Sequence, residues 1–221
     1  MRKGVFISAT GTGIGKTLIS SCIIRLLRLK KIDCGVMKPV QCGGDDAQRL
    51  IRRAGVNDPI GLVSPFYSKY PYAPLVAFKK EGINFNAGIV ISSFKALSKR
   101  HKFMVVEGAG GMLVPLANNY FIADLVLDLK LPLIIIASTA LGTINHTLLT
   151  VESAKKRKIK ILGIIFNNLS LKAGVAEKIN PEVIQRICRL PILGNIPYIQ
   201  PCINNKNILK LGIDLGRILH E

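Results

Sequence analysis

The chain has 221 residues, 49% of them hydrophobic and 20% charged, with no tryptophan. That length suits one domain with a core large enough to need no disulfide or metal staple, and the composition excludes disorder, collagen-like repeats and coiled coils. Lysine and arginine outnumber aspartate and glutamate by 31 to 13, a formal charge of +18. The basic residues are scattered, as Arg25/Arg28/Lys30, Arg49/Arg52/Arg53, Lys95/Lys99/Arg100 and Lys155 to Lys160. Most fall in the last turns of expected helices, where cations suit the dipole, so they read as solvated faces that attract anionic metabolites. Nucleic acid is not an expected partner. The longest strongly apolar stretch, Leu131 to Gly142, is about half a membrane span, and the first residues lack the apolar run of a secretory signal. A cytoplasmic protein with no membrane partner is expected. The five cysteines (22, 34, 42, 188 and 202) form no Cys-x-x-Cys pair and read as free thiols.

In chain order, Val5 to Ala9 is a buried strand and Lys16 to about Lys30 a helix. Cys34 to Val40 is a second strand, and Asp45 to Ala54 a short helix. Asn57 to Phe85, rich in Pro, Tyr and Gly, is a loop or lid on the same unit. Ala87 to Arg100 is a helix, Phe103 to Glu107 a strand, Ile122 to Leu129 a helix and Leu133 to Ala137 a strand. Ile144 to Lys158 is a helix and Ile161 to Asn167 a strand. Asn180-Pro181-Glu182 resembles an N-cap with proline in the first turn, opening a helix to Arg189. Ile192 to Ile196 and a helix from about Asn205 complete the pattern. Short runs apolar on both faces, separated by helices, specify an α/β fold: a mostly parallel sheet with helices on both faces, in a single domain.

The strongest chemical signal runs from Val5 to Thr17. A strand enters the glycine-rich turn Gly11-Thr12-Gly13-Ile14-Gly15, and Lys16-Thr17 opens a helix. Glycines let backbone N–H groups converge on phosphate oxygens, the helix start adds partial positive charge, Lys16 reaches the outer phosphates and Thr17 suits Mg²⁺. Thr10 stands where the strict phosphate-loop pattern has glycine. At the end of the second strand, Met37-Lys38-Pro39-Val40-Gln41-Cys42 lies at the ligand-binding edge of an open sheet, which sets Lys38 beside the phosphate loop. Asp46 is either a helix cap or a metal ligand. Glu107-Gly108-Ala109-Gly110-Gly111 ends a strand with a carboxylate suited to Mg²⁺, held directly or through water. Leu141-Gly142-Thr143-Ile144-Asn145-His146 opens a helix whose free N–H groups suit an anion, although taken alone ordinary capping is the better reading. Asn167-Asn168 and Ile196-Pro197-Tyr198 each end a strand and alone are ordinary loops.

Taken together and in order, these segments resemble dethiobiotin synthetase, a P-loop NTPase-like family, over about Val5 to Ile199. The Gly-Lys-Thr loop and Glu-Gly-Ala-Gly-Gly are shared with amide-forming synthetases of cobalamin assembly, whereas Lys-Pro-Val with Leu-Gly-x-Ile-Asn-His is the narrower signature. The resemblance implies a homodimeric, ATP- and Mg²⁺-dependent ligase of biotin biosynthesis. It would close the ureido ring from 7,8-diaminononanoate and CO₂, through a carbamate and its mixed anhydride with phosphate. It implies that Gly13, Ile14, Gly15, Lys16, Thr17 and Leu18 hold the phosphates, with Gly108, Ala109 and Gly110 beside the nucleotide. Thr17, Asp46 and Glu107 would serve Mg²⁺, and Lys16 and Lys38 would be catalytic. Asn167, Asn168, Pro197, Tyr198 and Ile199 would frame the base. Thr12 and Cys42 would meet the diamine, whose tail would reach Gly142, Thr143 and Asn145 of the second subunit. Two positions depart from the family: Cys42 replaces a serine, and Gln200-Pro201 replace an acidic residue expected there. The rival reading is a partition-type switch ATPase acting on DNA or membrane. Such proteins carry an additional lysine early in the phosphate loop, where this chain has Gly11, Thr12 and Gly13.

Overall fold

The computed structural model describes residues 4–172, 174–199 and 205–220. Gln200 and Pro201 lie outside them. Strand β1 (Gly4–Ala9) is buried at all six positions and leads into helix α1 (Lys16–Leu29). Strand β2 (Cys34–Met37) stops at Lys38-Pro39, and the chain resumes as β3 (Val40–Cys42) before α2 (Asp46–Ala54). The single strand expected over Cys34 to Val40 is thus two. Proline cannot donate to a ladder, and the Lys38 N–H donates instead to the Val63 carbonyl at 2.8 Å, so the chain leaves the main sheet here.

The segment expected to be a loop contains α3 (Ile60–Val63), β4 (Phe66–Ser68) and α4 (Pro74–Glu81). Strands β3 and β4 pair in parallel, Cys42 opposite Ser68, and Phe66, Phe78 and Phe85 form an aromatic cluster beneath them. The structure comes from this tertiary packing, which short segments rich in proline and glycine do not announce. Helix α5 (Ala87–Arg100) is capped by the Asn86 side chain, which accepts from the Gly88 N–H at 2.8 Å.

Strand β5 (Phe103–Gly111) continues four residues past Glu107, followed by β6 (Pro115–Ala117), β7 (Tyr120–Phe121) and α6 (Ile122–Asp128). Then come β8 (Leu133–Ser138), α7 (Thr143–Lys156), β9 (Ile161–Asn167) and α8 (Val175–Cys188). The expected helix start at Asn180 is also corrected, because α8 begins at Val175 and Pro181 lies inside it. The Asn180 amide does not cap. It is buried and donates to the Thr139 carbonyl at 2.8 Å, tying α8 to the end of β8. Strand β10 (Ile192–Ile196) precedes two short helices, α9 (Asn205–Leu209) and α10 (Leu215–His220), where one was expected; Gly212, at φ 65°, turns the chain between them.

Six strands form the main sheet in the order β10-β9-β8-β1-β5-β2, all parallel. Flanking helices cover strands that alternate poorly in hydrophobicity because both faces are dry. No helix among the described residues is long and apolar enough to cross a membrane. Cys22, Cys34, Cys42 and Cys188 are free thiols.

An ionic cluster closes the edge of the sheet away from the phosphate loop. The His101 ring lies 3.0 Å from Asp33 through Nδ1 and 2.8 Å from Asp58 through Nε2, and Arg100 Nε lies 2.9 Å from Asp58. The Lys102 N–H donates to Asp33 at 2.8 Å. Burial pushes the His101 pKa down, but the two carboxylates outweigh it and hold it above the usual value. Burial likewise pushes Asp33 up, but the His101 and Lys102 hydrogen bonds outweigh it and hold the carboxyl low. His101 therefore adds stability fully below its ordinary value of about 6.5, lost as pH rises through the raised one. Asp33 adds stability above its ordinary value of about 3.9, lost as pH falls through the lowered one. Replacing His101 by Gln should cost about 2 kcal/mol of unfolding free energy. The loss should be largest between about pH 4 and 6.5 and shrink outside that window, as followed by urea unfolding across pH.

Candidate active site

The phosphate loop is held open by backbone conformations that favour glycine. Gly13 and Gly15 have φ of 77° and 90°, and α1 starts immediately after Gly15. A Cβ at Gly15 would collide with the amide of Asn167. That amide, at the end of β9, donates to the Ile14 carbonyl at 2.9 Å and leaves its buried Oδ1 without a partner. Asn167 therefore both braces the loop and presents an unused acceptor beside it. Lys16 is buried, and its Nζ donates to the Gly11 carbonyl at 3.1 Å, closing the loop on itself. Burial, and then repulsion from Lys38, lower its pKa to about 8.

On the other side of the loop, three chain segments meet at Lys38, which is 4% exposed. Its Nζ lies 2.6 Å from Glu107 Oε1 and 3.1 Å from Asp46 Oδ2, and it donates to the Gly108 carbonyl at 3.3 Å. Glu107 Oε1 also accepts from the Thr17 hydroxyl at 2.8 Å. Burial works against the Lys38 charge, but the two carboxylates outweigh it and raise its pKa. Glu107 is fully buried, and its Oε2 makes no hydrogen bond.

A residue given no role in the sequence reading, Gln41, takes the capping part at the start of α2. Gln41 is buried, and its Oε1 accepts from the Ala47 N–H at 2.8 Å, which satisfies the start of α2. Asp46 is left free to face Lys38, while Asp45 pairs with Arg49 at 2.7 Å and Arg52 at 3.3 Å.

These groups line a cavity of about 570 Å³ that includes Thr12, Gly13, Gly15, Lys16, Thr17, Leu18, Lys38, Cys42, Asp46, Glu107, Ala109 and Gly110. The cavity is also walled by Arg49, Val114 and Pro71 to Pro74, which sequence reasoning missed. Arg49 was legible only as a surface cation, and Pro71 to Pro74 only as part of a loop. Burial, reinforced by Glu81, pushes the Cys42 thiol up to about 11, so it stays protonated.

Asn168 and Pro197 to Ile199 lie away from this cavity, at the ends of β9 and β10, where the Asn168 N–H donates to the Ile196 carbonyl at 2.9 Å. Gly142, Thr143 and Asn145 do not line the cavity either. Thr143 turns inward: its hydroxyl donates to the Ser138 carbonyl at 2.6 Å and its N–H to the Ala140 carbonyl at 3.1 Å. Asn145 is exposed beside Leu141, itself 90% exposed.

Comparison with known proteins decides what this constellation belongs to. The ATP-dependent dethiobiotin synthetase BioD of Bacillus licheniformis is 36% identical over 99% of this chain and 97% of its own. The same enzyme of Nitrosopumilus maritimus is 34% identical over 98% and 99%. This chain belongs to the dethiobiotin synthetase family. A family profile described as an AAA domain also matches residues 3–206. Among solved structures, the MinC:MinD cell division complex of Aquifex aeolicus superposes with a TM-score of 0.58 at 12% identity, covering 97% of this chain and 88% of that one. A ParA family ATPase of Chlorobium tepidum gives 0.56 at 14% identity, covering 99% and 92%. These two share the P-loop NTPase-like fold of the dethiobiotin synthetase and nothing narrower. The switch-ATPase reading therefore rests on architecture alone, while the sequence relatives point to the ligase.

Proposed function

We propose that the chain, acting as one domain, is an ATP-dependent ligase that makes dethiobiotin from 7,8-diaminononanoate and CO₂. The observation that carries this reading is the buried Lys38 ammonium between two carboxylates, beside a phosphate loop and inside a cavity that also has an apolar wall. One amine of the diamine takes up CO₂ as a carbamate. The γ-phosphoryl group of ATP passes to a carbamate oxygen, and the second amine attacks the carbon, releasing phosphate and closing the ring.

Each step needs a charge held in advance, and the chain supplies it. Gly13 to Leu18 cradle the phosphates with backbone N–H groups, and Lys16 exchanges the Gly11 carbonyl for a phosphate oxygen. Lys38 offers fixed positive charge to the carbamate and to the transferring phosphoryl oxygens. Thr12 and Cys42 face the amines, the latter as a thiol donor weaker than a hydroxyl. Asn167, Asn168 and Pro197 to Ile199 receive the base.

The residues also fit Mg²⁺. Glu107 has a buried oxygen without a hydrogen bond, and Thr17 and Asp46 bring further hard oxygens to the same locus. These residues would hold the ion, which would supply positive charge against the phosphate oxygens during transfer. Supplying the diamine, bicarbonate, Mg²⁺ and ATP should yield dethiobiotin, detected by mass, together with stoichiometric ADP. Hydrolysis stimulated by DNA or lipid, with no product from the diamine, would overturn the assignment in favour of the switch ATPase.

The homodimer belongs to this proposal, with Gly142 to Asn145 of the second subunit receiving the carboxylate tail at the start of α7. The exposed Leu141 before that helix, and the exposed Leu149 and Leu113, which line one surface cavity with His146, support a covered surface. Lys38→Ala and Asn145→Ala, each nearly inactive, should complement when co-expressed. Half of randomly paired dimers are mixed and half their sites intact, so roughly a quarter of wild-type activity should return. Mixed dimers no more active than the single variants would put the whole site in one chain.

A further inference from the structure

The lining of the cavity includes an aromatic side chain that ring closure itself does not use. Tyr72 is the one aromatic side chain lining the cavity among the described residues, and it is 46% exposed. An exposed tyrosine on a loop is ordinarily free to turn, but this one is braced from several directions. Its ring stacks on Tyr70 with centroids 5.6 Å apart and planes within 8°. Lys80 Nζ lies 4.2 Å from the Tyr70 centroid and 5.4 Å from that of Tyr72, a cation held over both rings.

The backbone is fixed too. The Tyr72 N–H donates to the Tyr70 carbonyl at 2.9 Å, and the Tyr70 N–H to the Ser68 hydroxyl at 3.1 Å. Pro71 lies against Gly43, where a Cβ would come within 3.1 Å of it, and the Gly43 N–H donates to the Ser68 carbonyl at 2.8 Å. This ties the loop to the strand that carries Cys42. Pro74 then starts α4. A ring that is rigid yet half open to solvent pays its ordering cost before any ligand arrives, which is how an aromatic contact contributes most to binding.

We infer that Tyr72 is the specificity residue for the aliphatic part of the substrate, its ring covering methylenes of the diamino acid and so selecting chain length. The inference rests on the ligase reading above and deepens it. With Val40, Val114, Pro71 and Ala73, the Tyr72 ring gives the cavity an apolar lining in addition to its charged groups. A substrate with two amines at one end and a hydrocarbon chain beyond them matches that division. Lys80 acts only through the two rings, as a positioning residue.

The test is steady-state kinetics on the full chain with 7,8-diaminononanoate and with analogues shortened by one and two methylenes. Tyr72→Ala should raise KM for the diamine about tenfold, with kcat and KM for ATP changed by less than about twofold, as expected when binding common to ground and transition states is removed. The preference of the wild type for the full-length chain should flatten in the same variant. Tyr72→Phe should retain both KM and preference, and Lys80→Met should raise the same KM by a smaller factor. An unchanged diamine KM in Tyr72→Ala, an effect confined to kcat or to ATP, or an intact length preference would overturn the inference. A wild type that forms no dethiobiotin overturns the ligase reading beneath it, whereas an active wild type indifferent to Tyr72 overturns this inference alone.

Discussion

Burying an ammonium group is unfavourable by several kcal/mol unless opposite charges and hydrogen bonds meet it, and the structure around Lys38 is organised by that requirement. Glu107 comes from β5, Asp46 from the first turn of α2, and the Gly108 carbonyl from the strand that continues past Glu107. The chain leaves the main sheet at Lys38-Pro39 so that the side chain faces β5 while the backbone N–H finds Val63. The small β3–β4 sheet, the approach of Pro71 to Gly43 and the wall of the cavity all follow from that departure. Gln41 caps α2 in place of an aspartate, which leaves Asp46 facing inward. The ammonium and its partners form a fixed charge constellation, already ordered before any phosphate arrives, and this is the condition under which electrostatic stabilisation acts most strongly.

The strand order divides the residues of the proposed site between two halves of the sheet. With β1 central, the phosphate loop emerges between β8, β9 and β10 on one side and β5 and β2 on the other. Asn167, Asn168 and Pro197 to Ile199, proposed to receive the base, belong to the first side. Lys38, Asp46, Glu107 and Cys42 belong to the second and suit the reacting end. Asn167 connects the halves, because its amide holds the Ile14 carbonyl at the centre of the loop. The close contact between Gly15 and that amide gives the glycine a packing reason in addition to its positive φ.

Legibility in the sequence followed the range of the interactions involved. Strands such as Ile161–Asn167 and helices such as Ala87–Arg100 were readable to the residue, because continuous apolar runs and cap residues are local signals. The phosphate loop and Lys38 were readable because they sit at a glycine turn and just past a strand end, and Glu107 because it precedes the run Gly108 to Gly111, although β5 continues through it. What was misread depended on distant partners. Asn180 looked like a cap but serves the end of β8, and Pro181 is tolerated inside α8. Pro71 to Pro74 carried no periodicity, and their role appears only when β4 pairs with β3 and aims the loop at the cavity.

Lys38 and Glu107 form one coupled charge pair at the centre of the site. The direct measurement is a double-mutant cycle on the ligand-free protein, with urea unfolding of the wild type, Lys38→Met, Glu107→Gln and the combined variant. Each single substitution should cost about 3 kcal/mol by leaving a buried group without its partner. The double variant should cost little more than either alone, giving a coupling energy of about 2 kcal/mol or more. Costs that simply add would contradict the account and leave the two residues as independent neighbours.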